Sequence, residues 1–362
     1  MLLSSAILAI GVLPFVSFVK AFPSFAGTNL YYAAGLSASQ RATYFAGLQS
    51  ADMKVLRVWL DGQSTATTKN TPITSYPDLE TTVGVYNDTV LDLLDAVMLD
   101  AKNYGIKLLI SMHSWNALSR PDIYGETYGV ENFYIWQNAT KAFDNRMRHV
   151  MNHVHSTLHV PWKHLSDYIF AFEAENEMAI GNGQDFIVAH SDWQCSRAQV
   201  IKAELAGAQI LVTTGGESWL DESINDTLLN CTHLDVVAVH AYGVGDLDTT
   251  KIQPYVTSAL QNGKKLLFQE WGACYYNTSN NTLPFLKVRG TRTFLNLRAT
   301  SALLEYHGCT GRFFRTPIRI TVMTTRLDLL IYHSKRWLQQ PRPRLTMILP
   351  STSPLTYCSL KR

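Results

Sequence analysis

The sequence predicts an α/β protein, a (β/α)8 TIM barrel whose eighth β/α unit is degraded or missing. Three observations lead there. Between residues 25 and 270, short apolar runs alternate with amphipathic stretches seven times. Some runs are apolar throughout, Val236-Val237-Ala238-Val239 and Leu266-Leu267-Phe268 among them, which suits parallel strands covered on both faces. No glycine-rich phosphate loop follows the first run, which counts against a doubly wound open sheet.

The elements are expected in order. Phe25–Tyr32 reads as the first strand, and a helix opens at Ser37 or Ser39, both good cap residues. Val55–Leu60 is the second strand. Tyr86–Tyr104 carries Val90, Leu91, Leu94, Val97, Met98 and Ala101 at helical spacing and stops at Gly105. Lys107–His113 and Tyr168–Glu177 are strands three and four, separated by a helix over Ala142–His155. A helix over Asp192–Leu205 precedes strand five, Ile210–Thr214. Leu234–Tyr242 and Lys265–Glu270 are strands six and seven, with Ile252–Leu260 helical between them.

The chain has 362 residues and a formal net charge of +2, but the charge is unevenly distributed. Residues 286–362 hold 14 Lys and Arg against two acids, which leaves 17 bases and 27 acids in the first 285 residues. An acidic body excludes nucleic acid as its expected partner. Residues 1–21, uncharged to Val19 and ending at Lys20-Ala21 before Phe22-Pro23, read as a secretory signal peptide. With the signal cleaved, no stable membrane insertion is expected, and the mature chain is expected to be a secreted, extracellular monomer. Sequons at Asn87, Asn138, Asn225, Asn230, Asn277 and Asn280 are glycosylation candidates that fit export. Of the five cysteines, Cys195 and Cys231 bracket one helix–strand unit and are the expected disulfide. Cys274 reads as a free buried thiol, and Cys309 and Cys358 lie in the basic segment.

In a β/α barrel the chemistry gathers where strands end. Arg57 and Trp59 end strand two, His113 strand three with Trp115 just beyond, Asn176-Glu177 strand four, His240 and Tyr242 strand six, and Glu270-Trp271 strand seven. Singly, each has a plainer reading: Arg57 as a core ion-pair partner of Glu173 and Glu175, the histidines as satisfied core residues, the tryptophans as packing. Together they are harder to explain that way. Carboxylates are rarely buried alone, and two facing one cleft are what glycosidic bond cleavage requires, one protonated and one ionised. Aromatic rims offer flat platforms to sugar rings. No His/Cys/Asp cluster has metal-ligand spacing, so no metal is expected, nor any other cofactor, and the lack of a Gly-x-Ser-x-Gly elbow counts against a serine hydrolase.

These segments resemble secreted fungal members of glycoside hydrolase family 5, a clan A family, and its endo-β-1,4-mannanase-like branch. They are Gly27-Thr28-Asn29-Leu30-Tyr31-Tyr32, Leu56-Arg57-Val58-Trp59, Ser111-Met112-His113, Phe172-Glu173-Ala174-Glu175-Asn176-Glu177, His240-Ala241-Tyr242 and Gln269-Glu270-Trp271-Gly272. The resemblance spans roughly residues 25–285. It implies a retaining hydrolase of internal β-1,4 linkages, mannan endo-1,4-β-mannosidase first, with Glu177 as general acid/base and Glu270 as nucleophile. Substrate contacts then fall on Arg57, Trp59, His113, Trp115, Asn176, His240, Tyr242 and Trp271, the Asn176 contact being to the sugar 2-hydroxyl. A cellulase or β-glucanase on the same scaffold, or a non-catalytic carbohydrate-binding descendant, are the alternatives. Either way the partner is a β-linked polysaccharide, mannan or glucan. Met178 stands where many relatives have proline.

The expected domains are the signal, a barrel over residues 22–285, and a basic segment over 286–362 that reads as a frameshifted or mis-spliced product. That segment is expected not to pair with both the first and seventh strands, with Trp337 outside the cleft. Were an eighth strand to form, Ile318–Met323 would be the run to supply it, being the one β-branched run there.

Overall fold

Eight parallel strands close into a barrel in the computed structural model, which describes residues 25–217, 219–241, 249–271 and 321–324. The barrel strands are β1 (Ala26–Asn29), β2 (Met53–Trp59), β3 (Lys107–Ser111), β4 (Ile169–Glu173), β5 (Leu211–Thr213), β6 (Val236–Ala241), β7 (Lys265–Trp271) and β8 (Thr321–Thr324). The main helices are α1 (Ala38–Ser50), α2 (Thr89–Asn103), α3 (Gln137–Asn152), α4 (Asp192–Leu205) and α5 (Thr249–Gln261). Two small hairpins, Thr67–Thr68 with Thr71–Pro72 and Glu80–Thr82 with Val85–Tyr86, decorate the long connection from β2 to α2.

The strand pattern explains the layers. Residues at alternate positions point inward, and Val55, Leu109, Ala171, Val236, Ala238 and Leu267 fill the barrel interior. Their neighbours point outward, so that Leu56, Val58, Leu108, Ile110, Phe172, Val237, Val239 and Phe268 pack under the helices in the large core. Helix ends follow local chemistry. Ser37 opens α1 with a capping box, its hydroxyl accepting from the Gln40 amide while the Gln40 side chain accepts from the Ser37 N–H. The Cys195–Cys231 disulfide forms, joining α4 to the residue that follows the short helix Asp226–Asn230.

Two expectations are corrected. Strand four ends at Glu173 and not at Glu177, since the chain turns away at Ala174 and keeps a single further bridge, Ser114 to Asn176. The basic segment does supply a strand. Thr321–Thr324, overlapping the Ile318–Met323 run, pairs on one side with β1 (Ala26 with Val322, Gly27 with Met323, Thr28 with Thr324). On the other side it pairs with β7, Leu267 with Thr321 and Phe268 with Val322. The physical reason is closure: without it β1 and β7 would each leave a row of backbone donors and acceptors unpaired. The signal peptide, Tyr242, Cys274, Cys309, Trp337, Cys358, Asn277 and Asn280 lie outside the described residues.

Candidate active site

Above the apolar interior, the next inward positions are charged. Arg57 follows Val55 on β2 and Glu173 follows Ala171 on β4, both completely buried. Their side chains meet as a two-pronged pair, Arg57 Nε donating to Glu173 Oε2 at 3.1 Å and Nη2 to Oε1 at 2.5 Å. The remaining nitrogen, Nη1, donates to Glu270 Oε1 at 2.6 Å, and Nη2 also donates to Asn176 Oδ1 at 2.7 Å. Burial opposes the guanidinium charge, but Glu173 and Glu270 outweigh it and raise the Arg57 pKa. The Trp59 ring, inward again, lies 4.3 Å from the Arg57 guanidinium carbon.

Glu270 reaches this layer through an irregularity in β7. Strict alternation would send Gln269 and Glu270 to opposite faces. The register slips there, so that Phe268 pairs with Val239 but Glu270 pairs with His240. Both side chains then serve the same cluster. Gln269 Nε2 donates to Glu173 Oε2 at 2.5 Å, which turns its Oε1 toward His240 Nε2 at 3.0 Å.

That orientation decides the His240 proton. Nε2 donates to the Gln269 carbonyl, which leaves Nδ1 facing Glu177 Oε1 at 2.8 Å. Burial lowers the His240 pKa, but Glu270 and Glu177 overcome it and raise it. His240 Nδ1 is 3.8 Å from Glu270 Oε2, and oxygen atoms of Glu177 and Glu270 lie within 4.8 Å of each other. Glu177 sits on the turn beyond β4 with a left-handed backbone, φ 55°, a strained conformation for a residue with a side chain.

His113 lies behind this layer. It is 1% exposed, with Nδ1 on Glu175 Oε1 and Nε2 on Asp122 Oδ2, both at 2.7 Å. Glu175 therefore pairs with His113 and not with Arg57, because the backbone has already left β4 and rotated its side chain away. Both His113 nitrogens are engaged, so the residue supports the cleft floor. Trp115 packs against Gly181, where any Cβ would overlap its ring, and donates to Asn182 Oδ1 at 3.4 Å. The Trp271 backbone pairs with Ala241 at the end of β7.

Asp61, Asp122 and Glu217 escaped the sequence reading, and Asn29 and Gln269, although they lie in the resembling segments, carry no role there. Asp122 and Asp61 come from loops with no periodicity to mark them, and Gln269 is invisible without the register slip. Glu217 follows Gly215-Gly216 after β5, a pair of glycines that was the one available signal. Among the described residues, two groups have donor atoms close enough for a metal: Glu177, His240 and Glu270, and, between α2 and the end of α3, Asp92, Asp95 and His153. In the second group Asp95 already accepts from Ser156 N at 2.6 Å and Trp162 Nε1 at 2.7 Å.

A closed parallel barrel carrying two close carboxylates, one just beyond its fourth strand and one near the end of its seventh, is the framework of a glycoside hydrolase. The chain belongs to glycosyl hydrolase family 5: the family model described as Cellulase matches residues 20–295. It is 28% identical over 300 residues to mannan endo-1,4-beta-mannosidase A of Aspergillus aculeatus, covering 74% of each chain. Its fold is that of the endo-1,4-beta-D-mannanase of Thermotoga petrophila, with a TM-score of 0.59 at 19% identity over 83% of this chain and 88% of that one. The endo-1,4-beta-mannanase of Rhizomucor miehei shares it too, with a TM-score of 0.53 at 19% identity over 69% and 77% of the two chains.

Proposed function

We propose that the protein is a secreted, retaining endo-β-1,4-mannanase in which Glu270 is the nucleophile and Glu177 the general acid/base. One observation carries the assignment of roles: the two carboxyls have different partners. Glu270 receives a guanidinium N–H at 2.6 Å, which favours negative charge and suits a nucleophile, whereas Glu177 faces the His240 imidazole, a group that can pass a proton to it and take one from it. Their spacing, with oxygen atoms within 4.8 Å, suits the short separation of a retaining pair and supports a covalent glycosyl-enzyme.

In the first step Glu270 attacks the anomeric carbon while Glu177 protonates the leaving oxygen. In the second Glu177 takes a proton from water, which displaces Glu270 and restores the β configuration. Mannan as substrate draws on the Aspergillus relative. Export draws on the apolar leader, the disulfide, and the exposed sequon residues Asn87, Asn138 and Asn230.

The test is reducing-sugar release from mannan, cellulose and mixed-linkage glucan side by side. Release from mannan with a β-configured first product is expected, and faster release from cellulose would overturn the substrate. Glu270→Ala should lose turnover while keeping binding, and azide should restore it by forming the α-glycosyl azide. A Glu270→Ala protein that azide cannot rescue speaks against Glu270 as nucleophile.

A further inference from the structure

Gln269 stands at the register slip of β7 and faces no paired residue of β6, since Phe268 pairs with Val239 and Glu270 with His240. Its main chain is pinned from β1, where Asn29 Nδ2 donates to the Gln269 carbonyl at 2.9 Å. The residue is completely buried. Its side chain bridges the partners of the two carboxyls. One end meets Glu173, whose fork with Arg57 in turn holds Glu270, and the other meets His240, which faces Glu177.

The direction of the amide follows from Glu173. Both oxygens of that carboxylate accept from Arg57, so it has no proton to give and Gln269 turns its NH2 toward it. The amide oxygen is left to accept from His240 Nε2 at 3.0 Å. The imidazole has little room to swing away, because a Cβ on Gly216, whose φ is +71°, would already overlap it. What Gln269 adds is the choice of nitrogen. Charge alone would draw the proton of a neutral ring to Nδ1, which lies 2.8 Å from Glu177 Oε1 and 3.8 Å from Glu270 Oε2. An Nδ1–H favours Glu177 as a carboxylate, the form that cannot protonate a leaving oxygen. A bare Nδ1 accepts from the carboxyl O–H instead and favours the acid form.

We propose that Gln269 is a positioning residue for the general acid: it keeps a proton on His240 Nε2, so that Nδ1 is the nitrogen left bare in the neutral ring and free to receive the Glu177 O–H. The inference rests on the reading of Glu177 as the acid/base. The charged groups that face the ring are Glu177 and Glu270, both on the Nδ1 side, and Arg57. Two substitutions separate the functions of the amide. Gln269→Met keeps the length of the side chain and loses both its donor and its carbonyl. Gln269→Glu keeps an oxygen that can accept from Nε2 whether or not the new carboxyl is ionised.

The first readout is the nitrogen NMR resonances of His240, in protein isotopically labelled at the histidine rings and assigned by their loss in His240→Asn. In the parent and in Gln269→Glu, Nδ1 should be the nitrogen that gives up its proton as pH rises; in Gln269→Met it should be Nε2. The second readout is kcat/KM for an unactivated mannan oligosaccharide and for 2,4-dinitrophenyl β-mannobioside, whose phenolate leaves without a proton. Gln269→Met should lower the oligosaccharide value about tenfold more than the aryl glycoside value, and Gln269→Glu should lower the two within about threefold of each other. The ratio does not depend on the fraction of folded enzyme, so a poorly folding variant still reports. The proposal is overturned if Nδ1 still titrates in Gln269→Met, or if that variant loses both activities equally, as it would by acting through Glu173 and Arg57 on the nucleophile. A Gln269→Glu protein that separates the substrates as Gln269→Met does also overturns it. Glu177→Ala in parallel must spare the aryl glycoside. If it does and Gln269→Met does not, only the positioning role fails; if it does not, the acid/base reading fails and takes this inference with it.

Discussion

Arg57 meets Glu173, Glu270 and Asn176 with one guanidinium, and all of it is buried. A lysine carries the charge but has no planar fork to serve three acceptors. Arg57→Lys should therefore lower kcat by about two orders of magnitude with the fold kept, as circular dichroism would report. Arg57→Met leaves Glu173 buried opposite a neutral side chain, and removing one partner of a buried pair costs about 3–5 kcal/mol. Urea unfolding would measure it, and a Met variant as stable as the parent would show that Glu173 is compensated elsewhere.

His113 and Asp122 make a second residue-scale prediction. Burial opposes the imidazolium, but Asp122 and then Glu175 raise the His113 pKa to about 10. Burial likewise opposes the Asp122 carboxylate, yet His113 and the Gly125 amide lower its pKa to about 2. The His113 contribution is complete below its ordinary 6.5 and lost as pH rises from there through about 10. The Asp122 contribution is complete above 3.8 and lost as pH falls through about 2. Both are complete between pH 3.8 and 6.5. Asp122→Asn should lower the melting temperature within that window and flatten the decline on its alkaline side. Asp61 and Glu175, which also face His113, remain in that variant.

At the scale of elements, the disulfide is the clearest case. Cys195 and Cys231 close a loop with a sequence separation of 36, which on the chain-entropy account stabilises the fold by about 3–4 kcal/mol. It also fixes α4, the helix bearing Gln194. Replacing both cysteines by serine should lower the denaturant midpoint by a corresponding amount, and an unchanged midpoint would mean that α4 packing alone holds the unit. Of the expected helices, Asp192–Leu205 is found with those bounds, ending where Ala206 turns left-handed at φ 47° before Gly207. Strand ends were less legible. The sequence of strand four reads as extended through Glu177, but the chain leaves the strand after Glu173 and is left-handed at Glu177 and Ala179.

At the scale of the molecule, closure is the decisive feature. Val322 is paired with Ala26 on one side and Phe268 on the other. A proline there removes an N–H from a strand bonded on both edges and clashes with the ladder. Val322→Pro should abolish the folded product or sharply lower its melting temperature, measured by secreted yield and calorimetry. A normally stable Val322→Pro protein would contradict the two-sided pairing. The charge asymmetry between the acidic first 285 residues and the basic remainder did not forbid this strand, since its four residues carry no charge.

The chain's own order of residues determined the alternation of strands and helices, the two faces of each strand, the cysteine pair and the residues that gather at one end of the barrel. Those properties are local, written in hydrophobic periodicity and in a few motifs with fixed spacing. Other features were decided only by tertiary structure: the partner of each buried charge, the slip that brings Gln269 and Glu270 into one cluster, and the recruitment of Thr321–Thr324 as the eighth strand. Each depends on backbone groups and charges far apart in sequence meeting where water is excluded, and there the cost of an unpaired donor or an unpaired charge exceeds any local preference.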